Sequence, residues 1–240
     1  MCGQPEVKFF AGYLCPMPIR YSWPLALTAA TLLFCLLTKA DGLTSLTLVS
    51  GVGCVSLIAI GKRLGYLVGL VSSVTYAWVA WENQLYGEVG LNLIFYLPTS
   101  IIGYHQWAGH EANGIVKMRR LPSSRRVQLV AGSIFAALAL GFVLRAIPGQ
   151  NNPFVDAATN VLSIIATLLM MWRFAEQWWL YVALNVLTVG LWLLRYYADG
   201  FAADSMIFLW LIYLINSIFG LVVWRRGGRE VAGSSIADSP

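Results

Sequence analysis

Apolar runs close to twenty residues long recur eight times along this chain, at roughly 22–38, 44–61, 64–81, 88–107, 127–147, 157–172, 177–194 and 203–224. A helix needs about 20 apolar residues to cross a hydrocarbon layer. Inside that layer no water is available to backbone N–H and C=O groups, so such runs must close their hydrogen bonds internally, as helices. A soluble helical bundle is the competing reading, and composition removes it. Only 11% of residues are charged and 58% are hydrophobic, whereas a soluble domain carries about a quarter charged residues. The expected fold class is all-α, a polytopic membrane protein with about eight transmembrane helices. The first run follows a mixed N-terminal segment without a small-residue cleavage site, so it reads as a retained helix and not a signal peptide.

Orientation follows from Lys and Arg. With eight spans, thirteen of the sixteen basic residues fall on one side and three (Lys39, Arg145, Arg195) on the other. Both termini are therefore expected in the cytoplasm. The net charge of +5 is then a topology signal. The basic run Lys117–Arg126 is expected to be a solvated loop near anionic lipid, with no nucleic-acid partner. Cys2, Cys15, Cys35 and Cys54 show no CxxC spacing, so neither a zinc site nor a disulfide framework is expected. The polar tail after Trp224 is expected to be disordered.

The chain contains an internal repeat. Residues 96–107 read YLPTSIIGYHQW and residues 213–224 read YLINSIFGLVVW, identical at six of twelve positions. A second alignment, offset by 113, places Ser72 on Asn185 and sets Gly65 and Val68 opposite Trp178 and Tyr181. Two copies of a three-helix unit lie parallel only if one extra helix carries the chain back across the membrane. The run 127–147 supplies that helix. The expected plan is 3-1-3, with a peripheral N-terminal helix: 1–42 N-terminal segment, 43–107 first unit, 108–150 basic loop and linker helix, 151–224 second unit, 225–240 disordered cytoplasmic tail. Parallel repeats of this kind place a substrate site at their interface.

No hydrolytic, phosphate-binding or redox motif occurs, so an enzyme, a cofactor and a metal are all unexpected. No carboxylate lies in the middle of a span, which favours facilitated diffusion over ion coupling. His105 and His110 lie at a span end, where solvation is the expected state. The spans instead carry uncharged polar groups and rings. Trp178, Tyr181 and Asn185 have helical spacing and share a face. Asn92 with Tyr96, and Asn216 with Tyr213, do the same, and Ser72 is the repeat mate of Asn185. An unpaired amide in hydrocarbon costs about 2–7 kcal/mol, so each Asn faces a partner helix, a water or a ligand. Three Asn and several rings in related repeat positions point to one shared cavity for a flat heterocycle bearing hydroxyls. Trp107, Trp192 and Trp224 are expected in the interfacial belt. Arg173 and Glu176 are expected to form a local ion pair at a helix start, with a gate as the alternative.

The run Glu176-Gln177-Trp178-Trp179-Leu180-Tyr181, followed by Asn185-Val186, resembles the Glu-x-Trp-x-x-Trp…Asn-Val signature of the PnuC-type nicotinamide riboside transporter family. Leu85-Tyr86-Gly87 with Leu91-Asn92, Gly103-Tyr104-His105-Gln106-Trp107, and Asn216 with Trp224 also resemble its patterns, from about residue 43 to 224. Tyr181, Asn92 and Ser72 depart from the family's commoner Trp, Gln and Asn. The resemblance implies a SWEET-like 3-1-3 core in a bacterial inner membrane. It implies inward movement of nicotinamide riboside without ion coupling, trapping by a cytoplasmic kinase, and assembly as a homo-oligomer, a trimer. Thiamine or riboflavin is the alternative cargo, and a non-transport scaffold the alternative class.

Overall fold

The computed structural model describes residues 17–82, 86–146, 152–199 and 204–237. Helix α1 spans Met17–Thr38, α2 Gly42–Ala59 and α3 Leu64–Glu82. A composite helix follows: α4 Tyr86–Gly90, a π-helical stretch Leu91–Tyr96, and α5 Leu97–Ala108. A small hairpin, β1 Glu111–Ala112 and β2 Ile115–Val116, leads to α6 Ser123–Arg145, α7 Pro153–Met171, α8 Gln177–Asp199 and α9 Asp204–Ala237. Six of these helices are long and apolar enough to cross a membrane. Helix α1 and the composite helix 86–108 bring the described spans to the expected eight. The turn-rich run 148–153 between α6 and α7 lies largely outside the described residues, as do residues 200–203 between α8 and α9.

Local chemistry sets the element ends. The Asp41 carboxylate caps α2 by accepting the Leu43 and Thr44 N–H groups at 2.9 and 3.0 Å. The π-helical stretch precedes Pro98, whose ring crowds the preceding turn and which has no N–H to donate. The helix widens there, so that Leu97 N–H reaches the Asn92 carbonyl five residues back. Past Trp224 the chain stays helical to Ala237, where a disordered tail was expected. Adding a turn to an existing helix avoids the nucleation cost, and Arg, Glu and Ala in this stretch are good helix formers.

Two turns reveal how the halves correspond. Helix α2 ends at left-handed Gly61 (φ +78°), with Gly61 N–H to Ile58 O and Lys62 N–H to Leu57 O, both 2.9 Å. Helix α7 ends at left-handed Arg173 (φ +66°), with Arg173 N–H to Met170 O and Phe174 N–H to Leu169 O, again both 2.9 Å. These are two copies of one Schellman cap. Gly61 and Arg173 are 112 residues apart, so the register at these helices is 112, not the expected 113. The shift matters because one residue turns a helical side chain by about 100°. Ser73, buried, replaces half-buried Ser72 as the mate of Asn185. Tyr66 and Gly69, not Gly65 and Val68, correspond to Trp178 and Tyr181.

In the basic run Lys117–Arg126, expected as a solvated loop, Lys117, Arg119 and Arg125 are exposed, but the connector 109–122 that holds its first half is packed against the bundle. Asn113 and Gly114, both at positive φ, turn a hairpin of the type that Asn-Gly favours. Val116 and Met118 are 3% exposed. Val116 N–H bonds to Gly61 O at 2.9 Å and Arg119 N–H to Arg173 O at 2.8 Å. The connector thus straps together the tips of both units, and its charges work locally. Arg63 pairs with Glu111 at 2.8 Å, and Arg119 lies over the Phe174 ring. Helix α6 keeps much of its apolar surface outward, including Val127, Phe135 and Phe142, and packs on α7. Gly141 of α6 lies against the Phe154 ring of α7.

Candidate functional site

At the end of the bundle that carries the strap, an unbroken chain of rings crosses from one unit to the other. Tyr66 meets Trp107 edge-on at 5.0 Å between centroids, Trp107 meets Trp224 at 5.6 Å, Trp224 meets Trp178 at 6.2 Å, and Trp178 meets Tyr181 at 5.9 Å. Trp107 and Trp224 are 0% exposed, so neither belongs to an interfacial belt. Each instead reaches across to the opposite unit. Trp107 Nε1 donates to Met170 O at 3.1 Å, at the end of α7, and Trp224 Nε1 donates to Ala59 O at 3.0 Å, at the end of α2. The exchange is two-fold in character. In a dry interior an indole N–H must find a partner, and here each finds a carbonyl at the end of the other unit's first helix.

Glycine makes the ring packing possible. A Cβ on Gly220 would stand 2.6 Å from two ring atoms of Trp178, and one on Gly103 would stand 2.5 Å from two ring atoms of Tyr66. The same aligned glycine pair therefore receives the central ring of each unit. Trp178 is 2% exposed and Tyr66 1%. Among the described residues, neither Trp178 Nε1 nor the Tyr66 hydroxyl has a hydrogen-bond partner. Gln177, 0% exposed, has both amide atoms unpartnered.

The predicted residues divide into groups. Tyr181 and Tyr96 converge on one face of α7, where the Tyr181 hydroxyl meets Thr167 Oγ1 at 3.1 Å and the Tyr96 hydroxyl meets Ser163 Oγ. Asn185 Nδ2 donates to Ser217 Oγ at 2.9 Å, joining α8 to α9. Asn216 serves as a bridge: its Oδ1 accepts Trp23 Nε1 of α1 at 3.0 Å and its Nδ2 donates to Val55 O of α2 at 2.9 Å. Trp23 also stacks on Phe219, so the N-terminal helix is fastened to α9. Asn92 turns back on its own helix, donating to Glu88 O at 2.8 Å. Ser72 and the Tyr213 hydroxyl both lie against Gly51 of α2.

The charged residues sit at the strap. Glu176 pairs with Arg126 at 2.9 Å, and its Oε2 accepts Leu121 N–H at 3.0 Å. The expected Arg173–Glu176 pair is replaced because the first turn of α6 delivers Arg126 to Glu176. Burial, and then the like charge of Arg119, push the Arg173 guanidinium below its ordinary value. Arg173 and Glu176 are the charged side chains found buried among the described residues, and both lie in this turn. Among the described residues, the buried polar groups within the spans are uncharged. No grouping of His, Cys, Asp or Glu able to hold a metal occurs among the described residues.

Sequence reasoning missed Tyr66, Gln177, Arg126 and the hairpin. The hairpin had a signal in Asn113-Gly114, and Tyr66 had one in the aligned Gly103 and Gly220, each of which implies a large side chain packed against it.

Paired helical units that meet at a ring-lined interface, with uncharged polar groups in the spans, define a polytopic membrane transporter. A family model described as nicotinamide mononucleotide transporter matches residues 41–226. The nicotinamide riboside transporter PnuC of Neisseria mucosa is 34% identical over 77% of this chain and 72% of its own. The Haemophilus influenzae protein of the same name is 28% identical over 94% and 96%. A crystal structure titled as the vitamin B3 transporter PnuC superposes with a TM-score of 0.75 at 29% identity, covering 88% of this chain and 92% of that one. The chain belongs to the nicotinamide mononucleotide transporter family; it is a transporter and not an enzyme.

Proposed function

We propose that this chain carries nicotinamide riboside into the cell by facilitated diffusion, with the units 43–107 and 151–224 rocking about their shared interface. The relatives' cargo motivates the choice of riboside, and the observation that carries it is the buried ring chain around Trp178. A nicotinamide ring joined to ribose through its ring nitrogen is a flat cation. Aromatic faces attract such a cation without a carboxylate, by about 2 kcal/mol or more when water is excluded. Trp178 and Tyr181 supply the faces. Asn185 supplies the amide for ribose hydroxyls, with Asn92, Tyr96 and Ser72 further along the path. Asn216 reaches the cargo only in a state that releases Trp23 or Val55. The turn holding Arg173 and Glu176, fastened to the strap, is the candidate gate.

The uncharged character of the buried polar groups within the spans supports transport without ion coupling. Phosphorylation by a cytoplasmic kinase would then trap the product. The basic bias of one face supports cytoplasmic termini in a bacterial inner membrane, and family resemblance supports a trimer. Uptake of labelled riboside by proteoliposomes containing neither kinase nor ATP tests the proposal. Asn185→Ala is expected to abolish uptake while the protein melts as a folded species. Competition by thiamine or riboflavin equal to that by unlabelled riboside would reassign the cargo, and loss of uptake on collapsing a proton gradient would refute uncoupled transport.

A further inference from the structure

The first unit also contributes a ring to the site, although the sequence register assigned that position to Gly65. We infer that Tyr66 is a cargo-contacting and specificity-determining residue, whose hydroxyl hydrogen-bonds to the transported riboside opposite Trp178. This rests on the proposed function and adds to it a residue from the other half.

Three observations converge. Tyr66 and Trp178 occupy equivalent places relative to the paired caps at Gly61 and Arg173. Each lies on the aligned glycine of its own unit, Gly103 or Gly220, and each meets the terminal tryptophan of that unit, Trp107 or Trp224. Each is at least 98% buried, yet its single polar atom meets no hydrogen-bonding group among the described residues. Buried hydroxyls and indole N–H groups are ordinarily satisfied, and leaving one unmet is costly. The contrast with Trp107 and Trp224 is direct. Those two rings lie in the same cluster, are equally buried, and spend their N–H groups on backbone carbonyls.

Among the four fully buried rings of this cluster, the two with unmet polar atoms sit at the two equivalent positions, which makes accident a poor account. Chemistry then separates their roles. Trp178 Nε1 can only donate, whereas a tyrosine hydroxyl donates and accepts. The pair fits a ligand with acceptors towards the second unit and a hydroxyl or amide towards the first. A nicotinamide riboside presents both. Tyr66 thereby discriminates on hydrogen bonding, while Trp178 supplies most of the stacking area.

Tyr66→Phe removes the hydroxyl and leaves the ring against Gly103 and Trp107. Riboside affinity of the purified protein is measured by calorimetry, with ligand-free melting temperature measured alongside. The expected result is a Kd about tenfold weaker, the loss of one buried hydrogen bond, with a melting temperature unchanged or higher because an unmet polar atom is gone. Trp178→Phe serves as the reference and is expected to weaken binding at least as much. An unchanged Kd in Tyr66→Phe with normal wild-type binding overturns this inference alone. A lowered melting temperature with unchanged Kd also overturns it, by making the hydroxyl structural. Absence of riboside binding by the wild type overturns this inference together with the proposed cargo.

Discussion

Substitution of Gly220 by alanine tests the ring packing directly. The added Cβ would lie 2.6, 2.6 and 2.7 Å from Trp178 Cδ2, Cε2 and Cε3. Carbon atoms rest at about 3.5–4.0 Å, so the indole must retreat by about 1 Å. It has little room, being wedged between Trp224 and Tyr181. Overpacking of this kind costs about 1–3 kcal/mol. Against it stands the helix-propensity gain of Gly→Ala, at most about 1 kcal/mol. With the indole unable to retreat, the steric term wins, and the net loss is up to about 2 kcal/mol. Gly190, on α8, is the control. It has nothing within 4 Å of an added Cβ, so Gly190→Ala keeps the propensity gain alone and raises stability. The assay is thermal melting in detergent, followed by riboside uptake. Gly220→Ala should melt lower than wild type and carry substrate poorly, and Gly103→Ala should do the same through Tyr66. If Gly220→Ala behaves like Gly190→Ala, and uptake is retained, the packing argument is wrong.

Glu176→Gln keeps an acceptor for Leu121 N–H but removes the charge facing Arg126, which is 39% exposed and can turn to water. A loss of about 1.5 kcal/mol is expected, at the low end for a charged partner, read as a lower melting temperature with a loosened connector in hydrogen exchange. At Asp41 the hydrogen bonds to Thr44 hold the carboxyl below its ordinary value. A depressed folded-state pKa gives stability that is present above the unfolded value, near pH 4, and lost as pH falls through the folded one. Asp41→Ala should therefore melt lower than wild type at pH 7, with the gap closing in acid. A gap independent of pH would remove the carboxylate's charge from the account.

Much of this protein can be read from sequence because a membrane imposes few solutions. Eight apolar runs become eight helical spans since lipid satisfies no backbone group, and the run Glu176–Asn185 places Trp178 and Tyr181 on one helix face by spacing alone. The aligned segments 96–107 and 213–224 likewise disclose the repeat. Tertiary structure decided what each residue does inside that frame. One residue of register, invisible among similar apolar helices, depended on the caps at Gly61 and Arg173, and it moved the mate of Trp178 from Gly65 to Tyr66. The fate of a polar group depended on which helix lay opposite. Asn216 fastens α1 to α2 and α9, Asn92 serves its own backbone, and Trp107 and Trp224 turn inwards to close the carbonyls of the opposite unit. Sequence carries the period of a helix and the needs of its polar atoms. Which neighbour meets those needs is settled when the two units fold against each other.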